Sequence, residues 1–185
     1  MCTRVPAQAG SDNRWRRGSA EDAGRSENVS FAEKLVEEFK KKVGGGVISA
    51  EVSKPRRIYA EVSPEAAVEA ARYLFDERGA RFAIATGTEM PDAFEVLYHF
   101  AFDKHNLLFN MRVRAADKEK PKLPSFTPIA VCFDWIEREI HDLLGIEFEG
   151  REETQPLLRA DDWPADFYPL RTAVPTAGDR EEAKS

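Results

Sequence analysis

Cysteine and histidine are scarce in this chain of 185 residues, which has two of the first and three of the second. Cys2 and Cys132 lie far apart, so no disulfide is expected and a reducing compartment suits the chain. A zinc site, which takes about four ligands, is hard to assemble from so few. No apolar run approaches the ~18–20 residues that cross a bilayer. The first residues lack the apolar core of a secretory signal, and a soluble, cytoplasmic-type protein is expected. Gly-x-Gly-x-x-Gly, Gly-x-Ser-x-Gly and Cys-x-x-Cys are all missing, as are internal repeats. A basic surface is lacking too: the formal charge of -6 argues against nucleic acid as the main partner.

Apolar bulk is present. Hydrophobic residues make up 42% of the chain, with twelve Phe and three Trp, enough for one sizeable core. Residues 1–28 carry Arg, Ser, Gly and acids with Trp15 as the only aromatic, and predict a disordered tail. Ser30 with Glu33 forms a capping-box pattern, followed by Phe31, Leu35, Phe39 and Val43 at four-residue steps. That spacing predicts an amphipathic helix stopped at Gly44-Gly45-Gly46. Val47–Ser53 and Arg57–Val62 read as adjacent strands. Ser63-Pro64-Glu65 opens a second helix with Ala67, Val68, Ala71, Leu74 and Phe75 inward. Arg81–Thr86 predicts a short strand and Gly87–Asp92 a turn. Phe94, Val96, Tyr98, Phe100 and Phe102 alternate along the clearest strand, and Leu107–Val113 supplies another. His99 falls on the other face of that strand and His105 in the following turn, both structural or solvent-facing. The order of elements predicts an α+β fold of two layers, helices packed on a mixed sheet over residues 29–150.

The most legible stretch is Trp135-Ile-Glu-Arg-Glu-Ile-His-Asp-Leu-Leu-Gly145. At 3.6 residues per turn, Ile136, Ile140, Leu143 and Leu144 form one apolar stripe. Trp135, Arg138, Glu139 and Asp142 gather on one flank of it, Glu137 and His141 on the other. Asp134 and Glu137 have capping-box spacing, and Gly145 is placed to end the helix. The charged flank fits a solvated face with an Arg138–Asp142 pair, or a docking surface; Glu137 and His141, at i,i+4, suggest half of a metal site. Beyond the helix, residues 151–171 show no regular period. Yet Leu157, Leu158, Trp163, Phe167, Tyr168 and Leu170 are too apolar for a free coil, so this arm must wrap on its own domain or on a partner. From Thr172 a polar, disordered tail is expected.

Trp135 to Gly150, the Pro-Ser-Phe-Thr-Pro lead-in at 124–128, Leu158-Arg-Ala-Asp-Asp-Trp163 and Pro169-Leu-Arg171 together resemble a known family. It is the thirty-kilodalton subunit of respiratory NADH:quinone oxidoreductase (complex I), a family that also supplies a small subunit to membrane-bound energy-converting [NiFe] hydrogenases. The likeness is best over 124–171 and reaches back to about residue 30. Gly150-Arg151-Glu152 and Thr172-Ala173-Val174 depart from the family pattern and lean toward the hydrogenase-type branch. The resemblance implies a non-catalytic subunit that holds no cofactor and no metal. It implies a place peripheral to the inner membrane, against a large quinone-site or [NiFe] subunit and a neighbouring iron–sulfur subunit. The docking residues so implied are Trp135, Arg138, Glu139, Asp142, Gly145, Asp162, Trp163, Pro169, Leu170 and Arg171. Two alternatives compete: a stand-alone metal-dependent enzyme using Glu137, Glu139, His141 and Asp142, and a generic adaptor that binds through the arm.

Overall fold

Alternation along one strand sets the centre of the molecule. A computed structural model describes residues 14–151, 155–160, 162–164 and 167–172, with side chains from residue 29 onward. Five strands, β1 (Val47–Lys54), β2 (Arg57–Val62), β3 (Arg81–Glu89), β4 (Phe94–Phe102) and β5 (Leu107–Ala115), form one sheet. Their spatial order is β1-β2-β5-β4-β3, with β2 and β5 parallel and the other pairs antiparallel. On β4, Phe94, Val96, Tyr98, Phe100 and Phe102 are buried and the residues between them half-buried. Phe109, Met111 and Val113 of β5 and Ile58, Ala60 and Val62 of β2 join them in the core.

Helices cover that face. Leu35, Phe39 and Val43 of α1 (Arg14–Val43) and Ala67, Ala70 and Ala71 of α2 (Pro64–Arg72) enter the same core. The ring of Phe39 lies 4.9 Å from that of Phe109. The opposite face is polar. Arg112 sits between Glu61 and Glu95, and Asn110 meets His99 at 2.6 Å while donating to the Ile58 carbonyl at 2.8 Å. His105, in the turn after β4, stacks on Phe31 at 3.6 Å. The fold is therefore α+β, with helices on one side of a mixed sheet, as the periodicities predict.

Two local expectations fail. First, α1 begins at Arg14, so Ser30 lies inside the helix and caps nothing. No proline stands between Pro6 and Pro55, so nothing in the backbone stops the helix from running N-terminally past Ser30. Residues 14–28 are thus helical where a disordered tail is predicted; residues 1–13 and 173–185 lie outside the described residues. Second, β3 runs on to Glu89, with Gly87 paired to Val96 and Glu89 to Phe94. Gly87 is a strand residue, and its missing side chain has a use. A Cβ there would come within 2.6 Å of Leu144 Cδ1 and 3.0 Å of Ile140 Cγ2. Both belong to α3 (Asp134–Leu144), which lies directly on β3. A parallel ribbon of β6 (Lys122–Pro124) and β7 (Glu147–Glu149) joins the chain just before α3 to the chain just after it.

Close packing of α3 on β3 gives the first test. Gly87→Ala should destabilise the fold by about 1–3 kcal/mol through overpacking. Ile140→Ala, at a buried position, should cost about 2–5 kcal/mol through the cavity it leaves. Equilibrium denaturation measures both, and a Gly87→Ala protein as stable as the parent would mean that α3 does not rest on β3.

Candidate partner-docking site

The buried side of α3 is rotated away from its apolar stripe. Glu137, Ile140, Asp142 and Leu144 are buried, while Ile136 and Leu143 are half-buried. Chain segments that pack against the helix from outside cause the difference. On one side lies the lead-in at 125–126, where Glu137 accepts from the Ser125 hydroxyl and from the Phe126 amide, each at 2.6 Å. Glu137 is therefore neither on an open flank nor a capping-box partner of Asp134. The helix starts at Asp134 itself, after a 3-10 turn at Val131–Phe133, and no side chain caps it. Loss of water pushes the Glu137 carboxyl up to about 7, against the pull of its two hydrogen bonds. Tyr98 lies close by, its hydroxyl buried and without a hydrogen-bond partner among the described residues. Burial and the charge of Glu137 both raise its pKa.

On the other side lies the arm. Asp142 Oδ2 accepts the amides of Leu157 and Leu158, each at 2.7 Å, with the Arg159 amide at 3.4 Å. It does not pair with Arg138 as the i,i+4 spacing suggests. Arg138 instead faces Asp134 at 3.7 Å and donates to the Gln155 carbonyl at 2.7 Å. Farther on, the Leu170 amide donates to Leu143 O at 3.0 Å, and Arg171 Nε donates to Leu144 O at 2.7 Å. The Arg171 guanidinium also lies over the rings of Tyr168 and Phe94, at 4.7 and 5.0 Å. A cation on the last carbonyls of α3 satisfies acceptors that the helix leaves open and complements its dipole. Gly145 has φ +69°, and a Cβ on it would meet the Tyr168 ring at 2.7 Å, so glycine suits both the turn and the packing. The arm ends on β3, where Glu89 accepts from the Thr172 amide and hydroxyl. With the Lys118 ammonium, these bonds hold the Glu89 carboxyl down to about 2.

The residues drawn from the sequence thus divide in two. Asp142, Gly145 and Arg171 serve contacts within the chain and bind the arm to α3. Trp135 is exposed, and Glu139, half-buried, has no hydrogen-bond or ion-pair partner among the described residues. Asp162 and Leu170 are exposed, Pro169 is half-buried, and Trp163 is half-buried with its ring edge-on to Phe167 at 5.1 Å. Val131, which the sequence did not single out, is more exposed than any of these apolar side chains. Its place just before a charged helix, in a segment without periodicity, left no signal to find it. Glu137 and His141 do not converge: the first faces Ser125 and Phe126, the second sets Nδ1 3.0 Å from Ile146 O. Among the described residues no group of three or more His, Cys, Asp or Glu is placed to hold a metal ion.

Comparison with known proteins agrees with this architecture. Residues 60–180 match the family model described as respiratory-chain NADH dehydrogenase, 30 Kd subunit. The C subunit of the NADH-quinone oxidoreductase of Jannaschia sp. (strain CCS1) is 33% identical over 150 residues, covering 78% of this chain and 70% of that protein. Its counterpart in Rhodobacter capsulatus is 34% identical over 140 residues, covering 72% of this chain and 68% of that one. Among solved structures, a chain of the membrane-bound sulfane sulfur reductase, an archaeal respiratory membrane complex, shares the fold. The TM-score is 0.70 at 21% identity, over 82% of this chain and 89% of that chain.

Two measurements on the isolated protein test this geometry. The Glu137 carboxyl is raised in the folded state, so the stability it confers is full below about 4.5 and is lost as pH rises through about 7. The change is on the order of 3 kcal/mol, and Glu137→Gln should flatten the stability profile between pH 5 and 8; an unaltered slope would place the titration elsewhere. Arg171→Ala should lower stability by about 1.5–3 kcal/mol, the loss of hydrogen bonds from a charged donor. It should also expose residues 155–172 to protease, and an arm that stays resistant would refute the cap.

Proposed function

Because the chain belongs to the respiratory-chain NADH dehydrogenase 30 kDa subunit family, we propose that it is a non-catalytic subunit of a membrane-attached redox complex. It docks on the large subunit through the outer side of α3 and the arm folded on it. The complex, rather than this chain, holds it at the membrane: among the described residues no helix is long and apolar enough to cross one. An iron–sulfur subunit is the second neighbour. The relatives at 33–34% identity are subunits of NADH-quinone oxidoreductases, which favours the respiratory branch despite the departures at 150–152 and 172–174.

One observation carries the docking surface. Val131, Trp135, Leu158 and Leu170 are 84, 71, 51 and 57% exposed, and all four lie on or beside α3 and the arm. Single exposed apolar residues are common on proteins, but here four fall on α3, the turn before it and the arm bound to it, which favours an interaction site. The internal bonds of Asp142 and Arg171 sharpen the proposal. They shape the surface and present it, while Trp135, Leu158, Leu170 and the unpaired Glu139 face the partner.

Trp135→Ala and Glu139→Ala should leave the melting temperature of the isolated chain nearly unchanged. Trp135→Ala should weaken co-purification with the large subunit by tenfold or more, as expected for a buried aromatic anchor. Co-purification unchanged in both variants would remove this face as the docking surface.

A further inference from the structure

A small cavity of about 50 Å³ lies between α3 and the arm, and three arginines, Arg138, Arg151 and Arg159, line it together with His141 and Asp142. Such a cluster stands out on a chain whose formal charge is -6. Among the described residues, the acids beside it leave donors of Arg138 and Arg159 over. Asp142 is buried and already accepts the Leu157 and Leu158 amides. Asp134 reaches Arg138 at 3.7 Å, longer than a hydrogen bond. Arg138 Nε is buried and has no hydrogen-bond partner among the described residues. Arg159 makes one side-chain hydrogen bond there, from Nη2 to Pro164 O at 2.8 Å. A guanidinium carries five N–H donors in a planar fork, the arrangement that grips a carboxylate with two parallel bonds.

We propose that this arginine pocket receives an Asp or Glu side chain of the subunit docked on the α3 face, with Arg159 as its principal donor. Size, charge and surroundings point to that occupant. The cavity has room for a few waters or a carboxylate head, and none for a nucleotide or an aromatic ring. Gln155 and Pro156, both exposed, line it with the arginines, so it opens at the surface of the arm. Desolvation on docking makes the charge pair selective: a like charge, or none, would leave Arg138 and Arg159 unmatched. Arg159 suits this task because its one side-chain hydrogen bond among the described residues is to the arm itself. A change there should spare the core.

The inference rests on the docking surface proposed above, and the test keeps the two apart. The full chain is tagged in its own cells and the solubilised complex captured, with Arg159→Glu, Arg159→Lys and Trp135→Ala beside the parent. Arg159→Glu should reduce retention of the large subunit tenfold or more at unchanged melting temperature; Arg159→Gln, which removes the charge and keeps a polar side chain, serves should the reversal disturb folding. In Arg159→Lys, a zero-length carbodiimide should form an amide between the new amine and an Asp or Glu of another subunit, read by mass spectrometry. Both results are required. Full retention in the charge variants, or a cross-link confined to this chain's own acids, overturns the proposal. If Trp135→Ala still loses the partner in that case, the docking surface stands without the acidic contact; if it too is retained, both fail.

Discussion

The structure turns on how one short helix satisfies the backbone of irregular chain on either side of it. The lead-in at 125–126 and the arm at 155–172 have little regular structure and few partners of their own. Amides buried without an acceptor are costly, so each segment must find one. Glu137 supplies it to the lead-in and Asp142 to the arm, two carboxylates facing different sides of α3. Arg171 reverses the roles and donates to the open carbonyls at the helix end. The α3 helix is thus a hub. It rests on β3 by an apolar contact that Gly87 permits, and it holds its flanking segments by ionic hydrogen bonds.

That division of labour separates the charged residues that hold the arm from the exposed side chains proposed above to dock. Asp142 and Arg171 are matched within the chain, whereas Arg138 Nε has no hydrogen-bond partner among the described residues. Val131 and Trp135 stay exposed among the described residues. The face proposed for docking thus combines a fixed arm with exposed apolar side chains, and no group of described residues there is placed to hold a metal ion. A supporting subunit has use for that combination.

Much of this was legible in the sequence. Strict alternation from Phe94 to Phe102 announced a strand buried on one side, and Pro64 after Ser63 announced a helix start, because each pattern reports a backbone period directly. The family was legible too, through motifs around α3. The fate of individual charges was not. A helical wheel assumes that the apolar side is the buried side, and it cannot know that other chain segments will cover Glu137 and Asp142. Nor could spacing reveal Gly87 as a landing place for a helix, since a glycine before a turn-like Met-Pro-Asp run reads first as a loop. The arm was ambiguous for the same reason: its apolar excess required a cover without saying whose.

The parallel pairing of β2 with β5 has a consequence for how the chain reaches this state. Asn110 bonds to the carbonyl of Ile58 across 52 positions of sequence. A parallel neighbour cannot be reached by a tight turn and needs a long crossover, here α2 with β3 and β4. As the chain is synthesised, the β1–β2 hairpin therefore emerges with one edge open, and it stays so until more than forty further residues have followed. Contacts of such span are slow to form, and exposed strand edges invite the wrong partner. The meander of β3, β4 and β5 is local and can form by itself. By topology, the step expected to come late is the closing of one seam, when the hairpin joins the edge of β5 and the sheet becomes continuous.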